Sequence, residues 1–320
     1  MHDIIVALLF ILLGIPVDLL SFCFLFGITI PFAGVLVRYR ANYTPKAAAV
    51  RLDDEPGVPS TLTSDASLSY FGMMKRVYHI EGLGGFYKGL VPSIVSTVAM
   101  VGITISVIHA IFQIMPNNDG PLDPLWSFAR SVLVALLLVP AEIIINRAIT
   151  TSHKLTIFHA RKALHLLLSP AERAQPLRLY LAPGVAFASL LQGLVFPALS
   201  VLRQVAEHSL PPGAFLGGAL PFMLLAVGIL TPLKVMTARL TLQRRGPETL
   251  EPLASDAPSV YAERVMHFRT EEAPYTSLLD CGRKMVAEEG WSVLARTWWL
   301  TALGMARWFG TPALLRWIER

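Results

Sequence analysis

The chain has 320 residues, 54% of them hydrophobic and 15% charged, with a formal net charge of +5. A soluble globular chain carries roughly a quarter charged residues, so this composition excludes an ordinary water-soluble domain and points to a bilayer. Two cysteines, Cys23 and Cys281, are too few for a disulfide framework and read as packed or free thiols.

Between residues 4 and 37 the one charged side chain is Asp18. Gly14-Ile15-Pro16 breaks the run, so a first spanning helix is expected from near Asp18 to near Arg38, with residues 2–13 extending or flanking it. Residues 18–38, at ~1.5 Å each, reach about 31 Å and can cross the ~30 Å hydrocarbon core. A secretory signal peptide fits less well, because Met1-His2-Asp3 lacks a positive start and no small-residue cleavage site is evident.

Five more apolar runs follow, at 90–115, 124–147, 182–205, 212–239 and 297–317. Their few ionisable residues are Arg130, Glu142, Arg203, Lys234, Arg307 and Arg316, with His109. Such groups are costly in a membrane and usually face a cavity or bundle interior. Small residues, as in Gly213-Ala214-Phe215-Leu216-Gly217-Gly218, allow helices to approach closely.

A pattern recurs three times: Pro31 with Arg38, Pro140 with Arg147, and Pro232 with Arg239. Each proline lies within an apolar run, and seven helical residues bring the arginine back to nearly the proline's face, about two turns on. Proline removes a helical hydrogen bond and predicts a kink. Three such helices make an internal repeat. At a helix C-terminus a cation is also favoured by about 0.3–1 kcal/mol through the dipole, or by snorkelling to the interface, which is the plainer reading of these arginines.

The connections alternate short and long. Those from Arg38 to Lys88, Arg147 to Arg178 and Arg239 to Arg296 carry 7, 6 and 8 of the 27 Lys and Arg, whereas 116–123 and 206–211 carry none. The positive-inside rule places the three long connections on the cytoplasm-like side, which is the matrix for a mitochondrial inner membrane, and puts both termini opposite. Each long connection has an amphipathic stretch, at Tyr70–Ile80, Phe158–Leu168 and Ser277–Val286. Insertions at about 52–67 and 245–274 lack periodicity and read as mobile loops. Tyr70-Phe71-Gly72 and Tyr87-Lys88-Gly89 read as helix starts, whose free N–H groups attract anions.

Other chemistries find little support. Gly82, Gly84, Gly85 and Gly89 follow neither the Rossmann nor the P-loop pattern and serve turns and close packing. His159 and His165 have no companion ligands for a metal. No nucleophile–base constellation stands out, which argues against an enzyme, and nothing calls for a cofactor or a nucleic-acid partner.

These residues resemble the mitochondrial carrier family. Its odd helices end in Pro-x-[Asp/Glu]-x-x-[Lys/Arg]-x-[Lys/Arg], followed by Glu-Gly and an aromatic-basic-Gly triplet that opens the even helix. Glu81-Gly82-Leu83-Gly84-Gly85-Phe86-Tyr87-Lys88-Gly89 fits closely, as does the run from Tyr275 through Asp280-Cys281 to Glu289-Gly290-Trp291 and Arg296. In the middle repeat Ala174-Gln175 stands for Glu-Gly and Tyr180-Leu181-Ala182 for the triplet. The resemblance covers about residues 17–320. It implies an all-α membrane bundle of six transmembrane helices in three pseudo-symmetric pairs around a central cavity, with repeats at 1–115, 116–208 and 209–320.

The departures bear on mechanism. The family's matrix gate pairs acidic with basic positions; here the acidic positions hold Ala33, Glu142 and Lys234 and the basic ones Leu36, Ile145 and Thr237. No full ring can form, although Glu142 and Lys234 could pair. At the other mouth the gate positions fall on His109 and Phe112, Leu202 and Val205, and Trp317 and Arg320, so that gate is almost wholly missing. The family's substrate contacts correspond to Ser96, Ser189 and Gly304, with Arg307 about one turn beyond as the candidate anion anchor. The resemblance also implies cardiolipin at Tyr70, Gly72, Tyr87, Lys88 and Gly89. Two functions follow: alternating-access transport of a small, anionic solute in a mitochondrial membrane, the inner before the outer, or a degenerate carrier acting as a membrane adaptor in fusion, fission or membrane organisation.

Overall fold

The computed structural model of the chain describes residues 15–46, 68–114, 123–151, 160–209, 215–243, 265–269 and 273–306, and among these every regular element is helical. The long helices are α1 (Ile15–Ala41), α3 (Leu90–Ile114), α4 (Asp123–Thr150), α7 (Val185–Ser209) and α8 (Phe215–Leu242). Between them lie the shorter α2 (Tyr70–Phe86), α5 (Ala160–Leu167), α6 (Pro170–Ala174) and α9 (Leu278–Glu288). A final helical stretch, α10, covers 298–306. The first helix thus takes in Pro16 in its first turn and runs three residues past Arg38.

Within these helices, Phe128–Thr150, Val185–Leu202 and Leu220–Leu242 are long and apolar enough to cross a membrane. Their exposed side chains include Leu133 and Leu138 on α4, Phe187 and Leu202 on α7, and Leu220, Leu224 and Leu225 on α8. In water each would forgo roughly 1.5–3 kcal/mol of burial, whereas in hydrocarbon the same faces cost nothing.

The three helices of the Pro–Arg repeat, α1, α4 and α8, touch one another, α7 fills the angle between α4 and α8, and α3 packs on α4. The α4–α7 approach depends on Gly193, where a Cβ would meet Ala135 Cβ at 2.8 Å. The helices continue through Pro31, Pro140 and Pro232. Pro31 has no N–H for Gly27 O, and the Tyr87 hydroxyl donates to that carbonyl at 3.4 Å. Close by, the Tyr70 hydroxyl donates to Phe32 O at 3.0 Å.

The short helices α2, α6 and α9 start where a serine can cap them. Ser69 accepts from Gly72 N, Ser277 from Asp280 N, and Ser169 forms a full capping box with Glu172. Their apolar faces close the core: Leu278, Cys281 and Met285 of α9 join Val139 and Ile143 of α4, Val185 of α7 and Val235 of α8. On the other side Tyr70, Met73 and Val77 of α2 cover Val35 of α1.

Residues 52–67 and most of the 245–274 insertion lie outside the described residues. The last part of the second insertion corrects the expectation of a mobile loop, because 265–269 is built into the core. Val265 joins the Val35, Tyr70, Met73 and Val77 cluster, and Met266 is buried beside it in sequence. His267 O accepts Tyr43 N at 3.0 Å, His267 N donates to Asn42 Oδ1 at 2.9 Å, and Arg269 pairs with Glu288 at 2.6 Å. An apolar dipeptide within a polar insertion was the available signal: it fastens the third connection to the end of α1.

Candidate functional site

The ends of α1, α4 and α8 are joined by the three arginines that follow their prolines. Arg38, Arg147 and Arg239 are 1%, 3% and 6% exposed, so none snorkels to a surface. Each reaches forward to the next helix of the Pro–Arg repeat. Arg38 Nε and Nη2 donate to Ile149 O at the end of α4, at 3.1 and 2.8 Å. Arg147 donates to Thr241 O of α8 and to Gln243 O just beyond it, both at 3.0 Å. Arg239 donates to Arg40 O and to Asn42 O at the end of α1, at 3.4 and 2.9 Å. The last carbonyls of a helix have no partner within it, and each arginine supplies donors to those of the following helix, so the sequence of links returns to its start.

Every one of these guanidinium groups also holds a carboxylate. Arg38 pairs with Glu81 at 2.6 Å, Arg147 grips Glu172 through two bonds of 2.7 and 3.0 Å, and Arg239 holds both oxygens of Glu289. Bidentate, charge-assisted bonds of this kind are about twice as strong as neutral ones. Two further cations join them: Lys88 lies 2.6 Å from Glu81 and donates to Thr151 O, and Arg296 lies 3.6 Å from Glu289 and donates to Asn42 O. Burial pushes Glu172 toward protonation, but the bonds and charge of Arg147 and the Ser169 N–H outweigh it and hold the carboxyl below its ordinary range.

Glu81 and Glu289 were legible as the Glu-Gly positions; Glu172 was not. It stands twelve residues before Gly184, where eight separate Glu81 from Gly89 and Glu289 from Thr297. The 3-10 turn Pro176–Leu179 takes up the difference. Gly89, Gly184 and Thr297 are the left-handed residues that open α3, α7 and α10, with φ of 87°, 76° and 67°. The middle even helix therefore opens at Ala182-Pro183-Gly184, not at Tyr180-Leu181-Ala182. Counted from that residue, the position matching Ser96 and Gly304 is Leu191, two beyond Ser189.

The predicted solute residues are placed as follows. Ser96 is half-buried on α3, Gly304 is exposed on α10, and Ser189 is buried on α7 with its hydroxyl donating to Glu142 Oε2 at 3.4 Å. Arg307, Trp317 and Arg320 lie outside the described residues, as do the side chains of His109 and Phe112, while Leu202 and Val205 are exposed. The expected Glu142–Lys234 pair is not a contact: no ion pair joins them, although each lies within electrostatic reach of the other and of Arg40. Thr237 instead accepts from Gln192 Nε2 at 2.8 Å.

Of the expected lipid contacts, Tyr70, Tyr87 and Lys88 already use their polar atoms on Phe32 O, Gly27 O and Glu81. The Gly72 N–H is taken by Ser69, and Gly89 is buried. Aromatic side chains gather at the same level, where Phe71 of α2 stacks on Trp299 of α10. Among the described residues no group of three His, Cys, Asp or Glu is placed to hold a metal.

A multi-pass, all-helical membrane protein whose helices are tied at one end by buried Arg–Glu pairs is the class that this geometry defines. Residues 44–119, which take in α2 and α3, match the family model for the mitochondrial carrier protein, and the resemblance read from the sequence is borne out there. A search of the curated proteins found no match.

Proposed function

We propose that the chain carries a small solute across a mitochondrial membrane by alternating access through a six-helix bundle, with repeats at 1–115, 116–208 and 209–320. The cyclic linkage of α1, α4 and α8 by Arg38, Arg147 and Arg239 supports this reading best. It closes one end of the bundle with bonds that can be broken and remade, while Ser96, Gly304 and Arg307, with Ser189 two residues before the re-registered position Leu191, stand for the solute contacts. The basic long connections face the matrix in an inner membrane. Cardiolipin, if held at the openings of α2 and α3, would rely on backbone N–H groups, since the side chains there are engaged.

The adaptor reading has its own support, in the apolar residues Ala33, Leu36 and Ile145 at gate positions. Purified protein in liposomes, screened for solute exchange and for solute-dependent thermal stabilisation, separates the two. Exchange by the wild type and none by Arg147→Met supports transport. A wild type that exchanges nothing and is stabilised by no solute favours the adaptor.

A further inference from the structure

The buried cations of this structure fall into two groups. Arg38, Lys88, Arg147, Arg239 and Arg296 are paired with carboxylates. Arg40 and Lys234 are not. Arg40 is 9% exposed and its guanidinium makes one hydrogen bond, from Nε to Thr297 Oγ1 at 3.0 Å. Its two terminal nitrogens have no protein partner among the described residues. Lys234 is half-buried and makes no hydrogen bond there, and Glu142 has the one long bond from Ser189.

These three charges come from α1, α4 and α8, within electrostatic reach of each other, and sum to +1. Desolvated charge without a partner is expensive. Beside the carboxylate-paired arginines at the ends of α1, α4 and α8, these open donors are available to something that comes and goes.

Thr297 supplies the second observation. Gly89 and Gly184 occupy the left-handed position at the openings of α3 and α7, as the steric rules favour, but α10 opens on a threonine at φ 67°. A β-branched residue in that region is a genuine outlier, and such strain persists where the surroundings use it. Its hydroxyl is what glycine lacks, and that hydroxyl holds Arg40.

We propose that Arg40 binds the anionic group of the transported solute, a carboxylate or phosphate, and that Thr297 is the positioning residue that keeps the guanidinium beside Lys234 and Glu142. The planar fork offers two parallel donors to such a group, with Lys234 adding charge from the opposite repeat. The proposal rests on the transport reading.

The test uses full-length protein in liposomes, with homo-exchange of radiolabelled L-malate and inorganic phosphate as the two anion sources, and of L-lysine and L-alanine as cationic and neutral controls. Exchange of malate or of phosphate is expected, whichever the solute resembles, and none of lysine or alanine. Arg40→Ala should lower kcat/KM on the order of a hundredfold and Arg40→Lys less. Thr297→Gly should raise KM roughly tenfold while the Tm holds or rises, since one bond to a charged group is lost and the strain is relieved. Thr297→Ser, which keeps the hydroxyl, should exchange as the wild type does.

Exchange confined to lysine or alanine would leave transport standing and overturn the anion proposal, as would anion exchange indifferent to Arg40→Ala. Anion exchange that needs Arg40 but ignores Thr297→Gly would remove the positioning role. A wild type that exchanges none of the four defeats the transport reading; the site then stands if malate or phosphate stabilises the wild type and not Arg40→Ala, and falls otherwise.

Discussion

Replacing Glu172 by alanine leaves the Arg147 guanidinium 97% buried with its counter-charge gone, since the residue is 3% exposed. Breaking a buried pair in this way costs about 3–5 kcal/mol. The structure argues for the lower end, because Arg147 keeps its bonds to Thr241 O, Gln243 O and Leu167 O. At about 2 °C per kcal/mol for a chain of this size, the Tm should fall by about 6 °C. Arg147→Met combined with Glu172→Ala should cost less than the sum of the two single changes, because neither charge is then stranded. The pH dependence has a definite sign. Glu172 titrates below its ordinary range in the folded protein, so its stabilisation is full above the unfolded carboxyl pKa of about 4.3 and is lost as pH falls through the folded value. Wild-type Tm should therefore drop on acidification below about pH 5 more steeply than that of Glu172→Gln, which has no proton to gain there. Thermal unfolding in detergent at a series of pH values measures both effects. Additive single and double changes, with parallel pH curves, would refute the argument.

Two other outcomes follow from the packing. Met266→Ala should cost about 2 kcal/mol, at the low end for a buried methionine, and should speed proteolysis at 265–269 by freeing it from the core; unchanged stability and cleavage would mean that the segment is not seated there. Cys281, buried with its thiol pushed up to about 12, should resist maleimide at pH 8 in a Cys23→Ser background until the protein is denatured, and rapid labelling of that folded variant would contradict the packing of α9.

The helices and the arginine positions were legible because they depend on local pattern: apolar runs, prolines inside them, and seven-residue spacing. The partners of those arginines were not, and the reason lies in the chain between. Arg38 and Glu81 are 43 residues apart, Arg147 and Glu172 are 25, and Arg239 and Glu289 are 50, so no fixed spacing announces the pairing. Glu172 was the hardest to find, since a 3-10 turn moved it out of register; its capping-box pattern Ser169-Pro170-Ala171-Glu172 marked a helix start without telling what the carboxylate would hold. The Glu142–Lys234 pair, within electrostatic reach but not in contact, was legible only in part for a related reason. Complementary charges at equivalent positions say that two residues belong to one layer, but side-chain reach and the cation Arg40, two residues past Arg38, decide whether they meet.

The forward reach of each arginine has a consequence for how such a closure opens. A row of links has two ends and can unzip from either, one bond at a time. A cycle has no end. Releasing Arg38 from Ile149 O leaves α4 still held to α8 by Arg147, and α8 to α1 by Arg239, so the three helix ends stay near one another and the broken link is favoured to re-form. Partial opening thus gains little room for a solute while losing a charged bond worth roughly 1.5–3 kcal/mol. Three such links amount to about 5–9 kcal/mol, the scale of the ~5.5 kcal/mol that carries a two-state balance from 1:99 to 99:1. If the chain transports as proposed, a closure of that kind would behave as a threshold, yielding as a unit to a ligand whose binding differs enough between its two states.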